Sequence, residues 1–217
     1  MAKNSRYCVP FRRRREGKTD YKARKAFLLS GKPRLVARCS INNVIAQIVV
    51  ARPNGDEVVV SAQSREVARK YGWKAPRGNL PAAYLTGFLC GLKASAQGIK
   101  EAILDVGLYR PSKGARIFGV LRGVLDAEVN VPHSEEKLPD EKRVEGEHIA
   151  KYADSLASKP EEYQLRFSNY LKEKTSPEIL PKHVAEVKKR MIESFKSGGG
   201  KVGAKRPKRQ PKRQQKK

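Results

Sequence analysis

Residues 34–62, RLVARCSINNVIAQIVVARPNGDEVVVSA, constrain the architecture more than any other stretch. Three short runs are rich in β-branched residues and alternate in part between apolar and polar, the period of a half-buried strand. Between the first two lies Asn42-Asn43, expected as a tight turn because Asn tolerates positive φ. Between the second and third lies Pro53-Asn54-Gly55-Asp56, which contains Asn-Gly, a strong short hairpin signal. The expected strands are 34–41, 44–52 and 57–62, joined as an antiparallel three-strand meander.

The period then changes. SREVARKYG (64–72) reads as a short helix capped by Ser64, and WKAPRGN (73–79) as a loop. Asn79 is placed to cap NLPAAYLTGFLCGLKASAQG, with Pro81 tolerated in the first turn. EAILDVG (101–107) reads as a short buried strand, and ARIFGVLRGVLDAE (115–128) as a second apolar-faced helix. Strands followed by helix, strand and helix predict a mixed-sheet α/β layer fold. The two helices carry Gly87 with Gly91 and Gly119 with Gly123. In a chain with no membrane span, these pairs imply close packing of backbone against sheet or helix.

Around this core, residues 1–18 read as an extended basic arm. Thr19 is placed to cap TDYKARKAFLLS, and Gly31 to stop it. After a polar linker, EHIAKYADSLAS, PEEYQLRFSNYLKE and PKHVAEVKKRMIESFKS read as three small helices. Their expected apolar faces are Ile149, Tyr152 and Leu156; Tyr163, Phe167 and Leu171; and Val184, Val187, Met191 and Phe195. The expected division is an arm (1–18), an α/β core (19–130), a linker with a helical appendage (131–197) and a basic low-complexity tail (198–217). The tail has too little apolar surface to fold alone.

Charge narrows the function. The net charge is +25, and most of it sits at the two ends. A charge of this size opposes compaction unless a polyanion neutralises it. Blocks of like charge at chain ends commonly serve as interaction arms. A membrane is a poor counter-surface. The longest apolar run, LPAAYLTGFLCGL, holds 13 residues, against the roughly 20 a spanning helix needs. The N-terminus lacks the apolar core of a secretory signal. Three widely spaced cysteines, Cys8, Cys39 and Cys90, argue against a disulfide scaffold and for a reducing cytosol.

The candidate contacts follow from phosphate and base chemistry. Arginine forks match phosphate oxygens and stack on bases, while aromatic rings stack on unpaired bases. The arm joins Arg6, Arg12, Arg13, Arg14, Arg15, Lys18, Arg24 and Lys25 to Tyr7, Phe11 and Tyr21. Arg34 and Arg38 extend the cationic stripe onto the first strand. Two Gly- and Pro-containing loops add Lys74 and Arg77, then Arg110, Lys113 and Arg116. Catalytic alternatives fare worse. His133, His148 and His183 have no nearby cysteine and no paired spacing for zinc. No phosphate-binding glycine loop or nucleophile-elbow motif is present. Cys39 and Cys90 read as core residues.

The meander with its following helix–strand–helix resembles nucleases of the ribonuclease H type. Two-metal chemistry, however, needs several converging acids. The first strand has none, Asp105 stands alone and reads as a strand-end cap, and Asp56 reads as a turn residue. A metal-dependent nuclease is therefore the weaker alternative, and no cofactor is expected. A second alternative is a basic DNA-binding protein using KRPKRQPKRQ, which also resembles a nuclear localisation signal.

The ordered blocks RRRREGKTDYKAR, KPRLVARCSINNVIAQIV, GNLPAAYLTGFL and ILDVGLYRPSKGARIFGVLRGVLDAEVNVPH resemble the ribosomal protein L-eighteen family, called L-five in eukaryotes. The resemblance covers about residues 5–150, and the length and C-terminal helices are similar to the archaeal branch. It implies a mixed α/β fold of the translational-machinery type and a non-catalytic, ribosome-bound cytoplasmic protein. It implies binding to 5S rRNA, anchoring of that RNA in the central protuberance, and contacts with 23S rRNA and neighbouring large-subunit proteins. In the family, the arm and nearby sheet residues touch 5S rRNA. Here those positions hold Arg6, Arg12 to Arg15, Lys18, Tyr21, Arg24, Arg34, Arg38 and the Asn42-Asn43 turn.

Overall fold

The alternating segment folds as three hydrogen-bonded strands in a computed structural model that describes residues 4–173 and 175–196. The expected tail, residues 198–217, lies outside the described residues. The strands are β1 (Arg34–Cys39), β2 (Val44–Arg52) and β3 (Gly55–Gln63). Neighbours pair antiparallel. A short β4 (Ile103–Asp105) adds parallel to β1, so the order is β3-β2-β1-β4.

Both connections differ in detail from the sequence reading. The β1–β2 turn is four residues, 40–43, because Cys39 pairs with Val44. It is closed by Ser40 rather than by a left-handed asparagine. The Ser40 hydroxyl accepts from the Asn43 amide at 3.0 Å and donates to the Asn43 carbonyl at 2.8 Å. Among the described residues, Glu128 is the one non-glycine with positive φ. In the β2–β3 hairpin, Arg52 pairs with Gly55, so Pro53-Asn54 form the loop and Gly55, at φ +129°, absorbs the reversal.

Side chains alternate across β1. Leu35, Ala37 and Cys39 face a helical layer, while Arg34, Val36 and Arg38 occupy the opposite face. The layer is α4 (Leu80–Ser95) and α5 (Arg116–Asp126); α3 (Ser64–Tyr71) leads into it. Asn79 caps α4 by accepting from the Ala82 amide at 2.9 Å. Ser64 does not cap α3. It lies inside the helix, and its buried hydroxyl accepts from the Val44 amide at the start of β2. Nearly all of α4 is buried. A helix apolar all round must be covered on every side. Here β2, β3, α5 and the C-terminal helices cover it.

The glycine pairs explain the closeness of α4 and α5. A Cβ at Gly87 would collide with the Val120 carbonyl, and one at Gly123 with the Tyr84 carbonyl and the Phe88 amide. The two glycine faces meet each other, so the backbones approach where any side chain would hold them apart.

The polar linker is not free chain. Val129, Val131 and Val144 belong to the same hydrophobic cluster as Leu35 and Leu85. The helices α6 (Glu141–Glu145) and α10 (Leu180–Lys196) pack against α4, and α7 (Glu147–Leu156) packs on both of them. Residues 160–173, expected as one helix, are two: α8 (Pro160–Arg166) and α9 (Ser168–Lys172). The break falls at Phe167, whose ring is buried among Tyr152, Tyr163 and Tyr170 at centroid distances of 5.9, 5.1 and 5.7 Å. After the break Tyr170 points inward and Leu171 is exposed, and on α7 it is Ala153 with Leu156, not Tyr152, that is buried.

Candidate nucleic-acid interface

The arm folds back rather than extending. Arg12–Arg15 form a single helical turn, α1, with all four side chains exposed. Four adjacent cations on one turn repel, so local charge does not favour this shape. Partners help hold it. Arg13 Nε donates to Thr19 Oγ1 at 2.8 Å, and Glu16 pairs with Lys18 at 2.9 Å. Phe11, 74% exposed, rests its ring 5.6 Å from that of Tyr21. Thr19 is therefore not the cap of α2 (Tyr21–Leu29). Asp20 takes that place, its carboxylate accepting from the Lys22 and Ala23 amides. Arg6, Tyr7, Lys18 and Lys25 are exposed as well.

Beneath the arm, several expected contacts point inward. Arg34 is 3% exposed. Its Nη2 lies 3.0 Å from Asp56 Oδ2, and its Nη1 donates to Asp105 Oδ2 at 3.3 Å. Arg24 on α2 donates to both Asp56 oxygens, at 3.0 and 2.9 Å. Arg38 donates to the Asp105 carboxylate at 3.2 Å and to its backbone carbonyl at 2.9 Å. The expectation that Arg34 forms part of an outer cationic stripe thus gives way to a chain: Arg24–Asp56–Arg34–Asp105–Arg38. Burial alone would raise the Asp56 carboxyl, but hydrogen bonds and charge from Arg34 and Arg24 outweigh it and hold it below the usual carboxylate range. Neither aspartate fits its sequence reading. Asp56 lies in β3, not a free turn, and Asp105 is an ion-pair hub instead of a strand-end cap. Arginine heads occupy the carboxylates a metal would require.

The chain docks α2 onto the outer face of the sheet. Between them opens a cleft of about 550 Å³, with Arg13, Lys18, Arg38, Phe27, Leu108 and Tyr109 among its walls.

A second gathering of expected residues lies at the far end of β1. Arg116 Nη1 donates to the Ser40 and Gly78 carbonyls, both at 2.8 Å. Tyr109 Oη donates to the Cys39 carbonyl at 2.9 Å. Arg65 Nε donates to Asn43 Oδ1 at 3.3 Å. Gly78 passes so close to the Ile41 carbonyl that a Cβ would collide with it. Three segments far apart in sequence (the 40–43 turn, the 73–79 loop and the 107–116 loop) are thereby fastened together. Lys74, Arg110, Lys113 and Asn42 remain exposed on them, with Arg77 half-buried. Arg116 acts here as the fastener.

Sequence reasoning missed Arg65, which lies in the short helix at 64–72 and was assigned no role. It missed Ile41, 90% exposed at the tip of the turn. It also missed His183, which was weighed as a zinc ligand. His183 stacks on Trp73 at 5.1 Å and accepts from the Lys74 amide through Nε2 at 3.1 Å, fixing the 73–79 loop from α10. Burial, reinforced by Arg190 and Lys74 against Glu186, depresses its pKa. No signal in sequence links residues so far apart.

Cys39 and Cys90 are buried, and burial pushes the Cys90 thiol up to about 12. A thiol so rarely ionised is a poor nucleophile. Among the described residues, no three acid, histidine or cysteine side chains gather as a metal site, and no helix is long and apolar enough to cross a membrane.

A family model described as "Ribosomal large subunit proteins 60S L5, and 50S L18" matches residues 5–100 and 93–134. The Large ribosomal subunit protein uL18 of Caldivirga maquilingensis is 53% identical over 196 residues, covering 90% of this chain and 95% of that protein.

Proposed function

The chain belongs to this family of large-subunit ribosomal proteins, as a structural constituent and not an enzyme, and on that premise we propose that it binds 5S rRNA and attaches it to the large subunit. The attachment lies at the central protuberance, with additional contacts to 23S rRNA and neighbouring large-subunit proteins, in the cytoplasm.

The observation that carries the reading is the exposed arm. Arg12–Arg15 present four guanidinium groups on one turn, beside the exposed rings of Tyr7 and Phe11. Phosphate contacts position an RNA, and stacking on aromatic rings holds unpaired bases. The proposed contact set is Arg6, Tyr7, Phe11, Arg12 to Arg15, Lys18, Tyr21, Lys25 and the free donors of Arg38. The fastened loops supply a second surface through Asn42, Lys74, Arg77, Arg110 and Lys113. Arg24, Arg34, Asn43 and Arg116 support these surfaces from within, since each spends its side chain on a protein partner.

Counterion release tests the proposal. With about 8 to 10 phosphates neutralised, the logarithm of 5S rRNA affinity falls against the logarithm of salt with a slope near −6 to −9. Replacing Arg12–Arg15 by alanine reduces that slope by several units. Filter binding across a salt series measures both. A slope near −1, or a slope unmoved by the substitutions, defeats the assignment.

A further inference from the structure

The cleft between α2 and the outer face of the sheet combines two chemistries. One part of its wall is apolar: Phe27 from α2, with Leu108 and Tyr109 from the loop after β4. The other part is cationic: Arg13, Lys18 and Arg38. Its volume of about 550 Å³ falls within the range of small-ligand pockets. The aromatic wall is prepared in advance, because the Tyr109 hydroxyl is tied to the Cys39 carbonyl. So is the cationic side, since Asp105 holds the Arg38 guanidinium through two of its donors. Gly107 lies in the left-handed region at φ +67°, and a Cβ there would stand 3.0 Å from the Arg38 head group. Arg34, almost entirely buried, also lines the cleft, and its Nε–H has no hydrogen-bond acceptor.

A free phosphate would use the cations and leave the aromatic wall idle. An apolar side chain would do the reverse. A nucleotide uses both, with its base against Phe27, Leu108 and Tyr109 and its phosphate toward Arg13, Lys18 and Arg38. We propose that this cleft receives one nucleotide of the bound RNA, turned out of its base stack. The proposal rests on the RNA-binding reading above and adds a specific subsite to it. An extruded base costs unstacking, recovered by stacking on protein rings. The cleft's mouth lies beside the exposed arm that clamps the neighbouring phosphates, so the nucleotide arrives tethered rather than from solution.

Two full-length variants test this. Ala23→Phe fills the cleft from α2 without altering charge, and Leu108→Ala trims its exposed lip. The readouts are 5S rRNA affinity, its salt slope, and base-specific chemical probing of the RNA, free and bound. In the wild-type complex, at least one base changes reactivity. With Ala23→Phe that base returns toward its free pattern and affinity falls about tenfold, the worth of one stacked base, with the salt slope moved by no more than about one, for the one phosphate that leaves with it. Leu108→Ala moves both readouts the same way by less, and it decides the matter if Ala23→Phe fails to fold. Wild-type affinity and an unchanged reactivity pattern in the folded variants overturn the subsite. Arg12–Arg15→Ala is the separate control. If it still lowers the slope, the RNA-binding reading survives the loss of the subsite; if it does not, that reading itself falls.

Discussion

Arg34 and Arg12 are the same residue type in the same basic segment, and they meet opposite fates. Arg12 is open to solvent, whereas Arg34 is buried between Asp56 and Asp105. Removing one member of a buried charge network leaves its partners uncompensated, at a cost of about 3–5 kcal/mol. Arg34→Ala is therefore expected to lose stability on that scale in urea denaturation. Its 5S rRNA salt slope, measured where the variant is still folded, should stay at the wild-type value, because no phosphate contact is removed. His183 makes a second test at this scale. Its folded pKa is depressed below the ordinary 6.5, so the folded state favours the neutral ring that accepts from Lys74. The unfolded chain then binds the proton more readily. Stability is full above the unfolded value and declines as pH falls below about 6.5. Replacing His183 by Gln, which keeps an acceptor but cannot titrate, should flatten that decline in urea denaturation measured from pH 8 to 5. An equally steep decline in the variant would assign the effect elsewhere.

Among the elements, α4 and α5 show how small residues set geometry. Their glycines permit a backbone separation that leaves no room for a methyl group at Gly87 or Gly123. Gly123→Ala forces the helices apart or distorts the Tyr84–Phe88 backbone, at a cost of about 1–3 kcal/mol or more for overpacking. Thermal unfolding should show the loss. An unchanged melting temperature would mean that the helix pair yields freely. The same pair is braced from outside. Lys188 on α10 donates to Tyr84 Oη at 2.7 Å, and Tyr84 Oη donates to Asp126 Oδ2 at 2.6 Å. Burial, with help from Asp126, raises the Tyr84 pKa, so the phenol stays protonated as a donor. The C-terminal helices thus complete the layer around α4, and through His183 they also hold a loop of the proposed RNA surface.

For the whole molecule, the net charge of +25 is the dominant long-range term. Self-repulsion works against the compact state, and counter-charge relieves it. The free protein's melting temperature is therefore expected to rise by a few degrees with a short RNA homopolymer at low salt. Calorimetry with and without the polymer measures this; an unchanged melting temperature would mean that self-repulsion does not limit stability, and a fall would mean that the polymer binds the unfolded chain more tightly than the folded one. The extra shift produced by 5S rRNA over the homopolymer reports specific recognition.

Much of this was legible beforehand. The strand runs at 34–62 and the Asn79 cap sit where alternation and capping chemistry place them, because both depend on residues only a few positions apart. The glycine pairs were legible as close packing against sheet or helix, and the structure decides for helix against helix. Breaks such as Phe167, and the cap at Asp20 in place of Thr19, turn on which neighbour a side chain finds in space. The site divides the same way. Composition and order along the chain identified a cationic arm, aromatic partners and a family pattern, since charge and ring count do not depend on folding. Only the tertiary structure sorted the arginines into those that face outward and those that hold the scaffold. Arg34 and Asp105 stand 71 positions apart, and an ion pair across that distance exists only once the sheet has laid β4 beside β1.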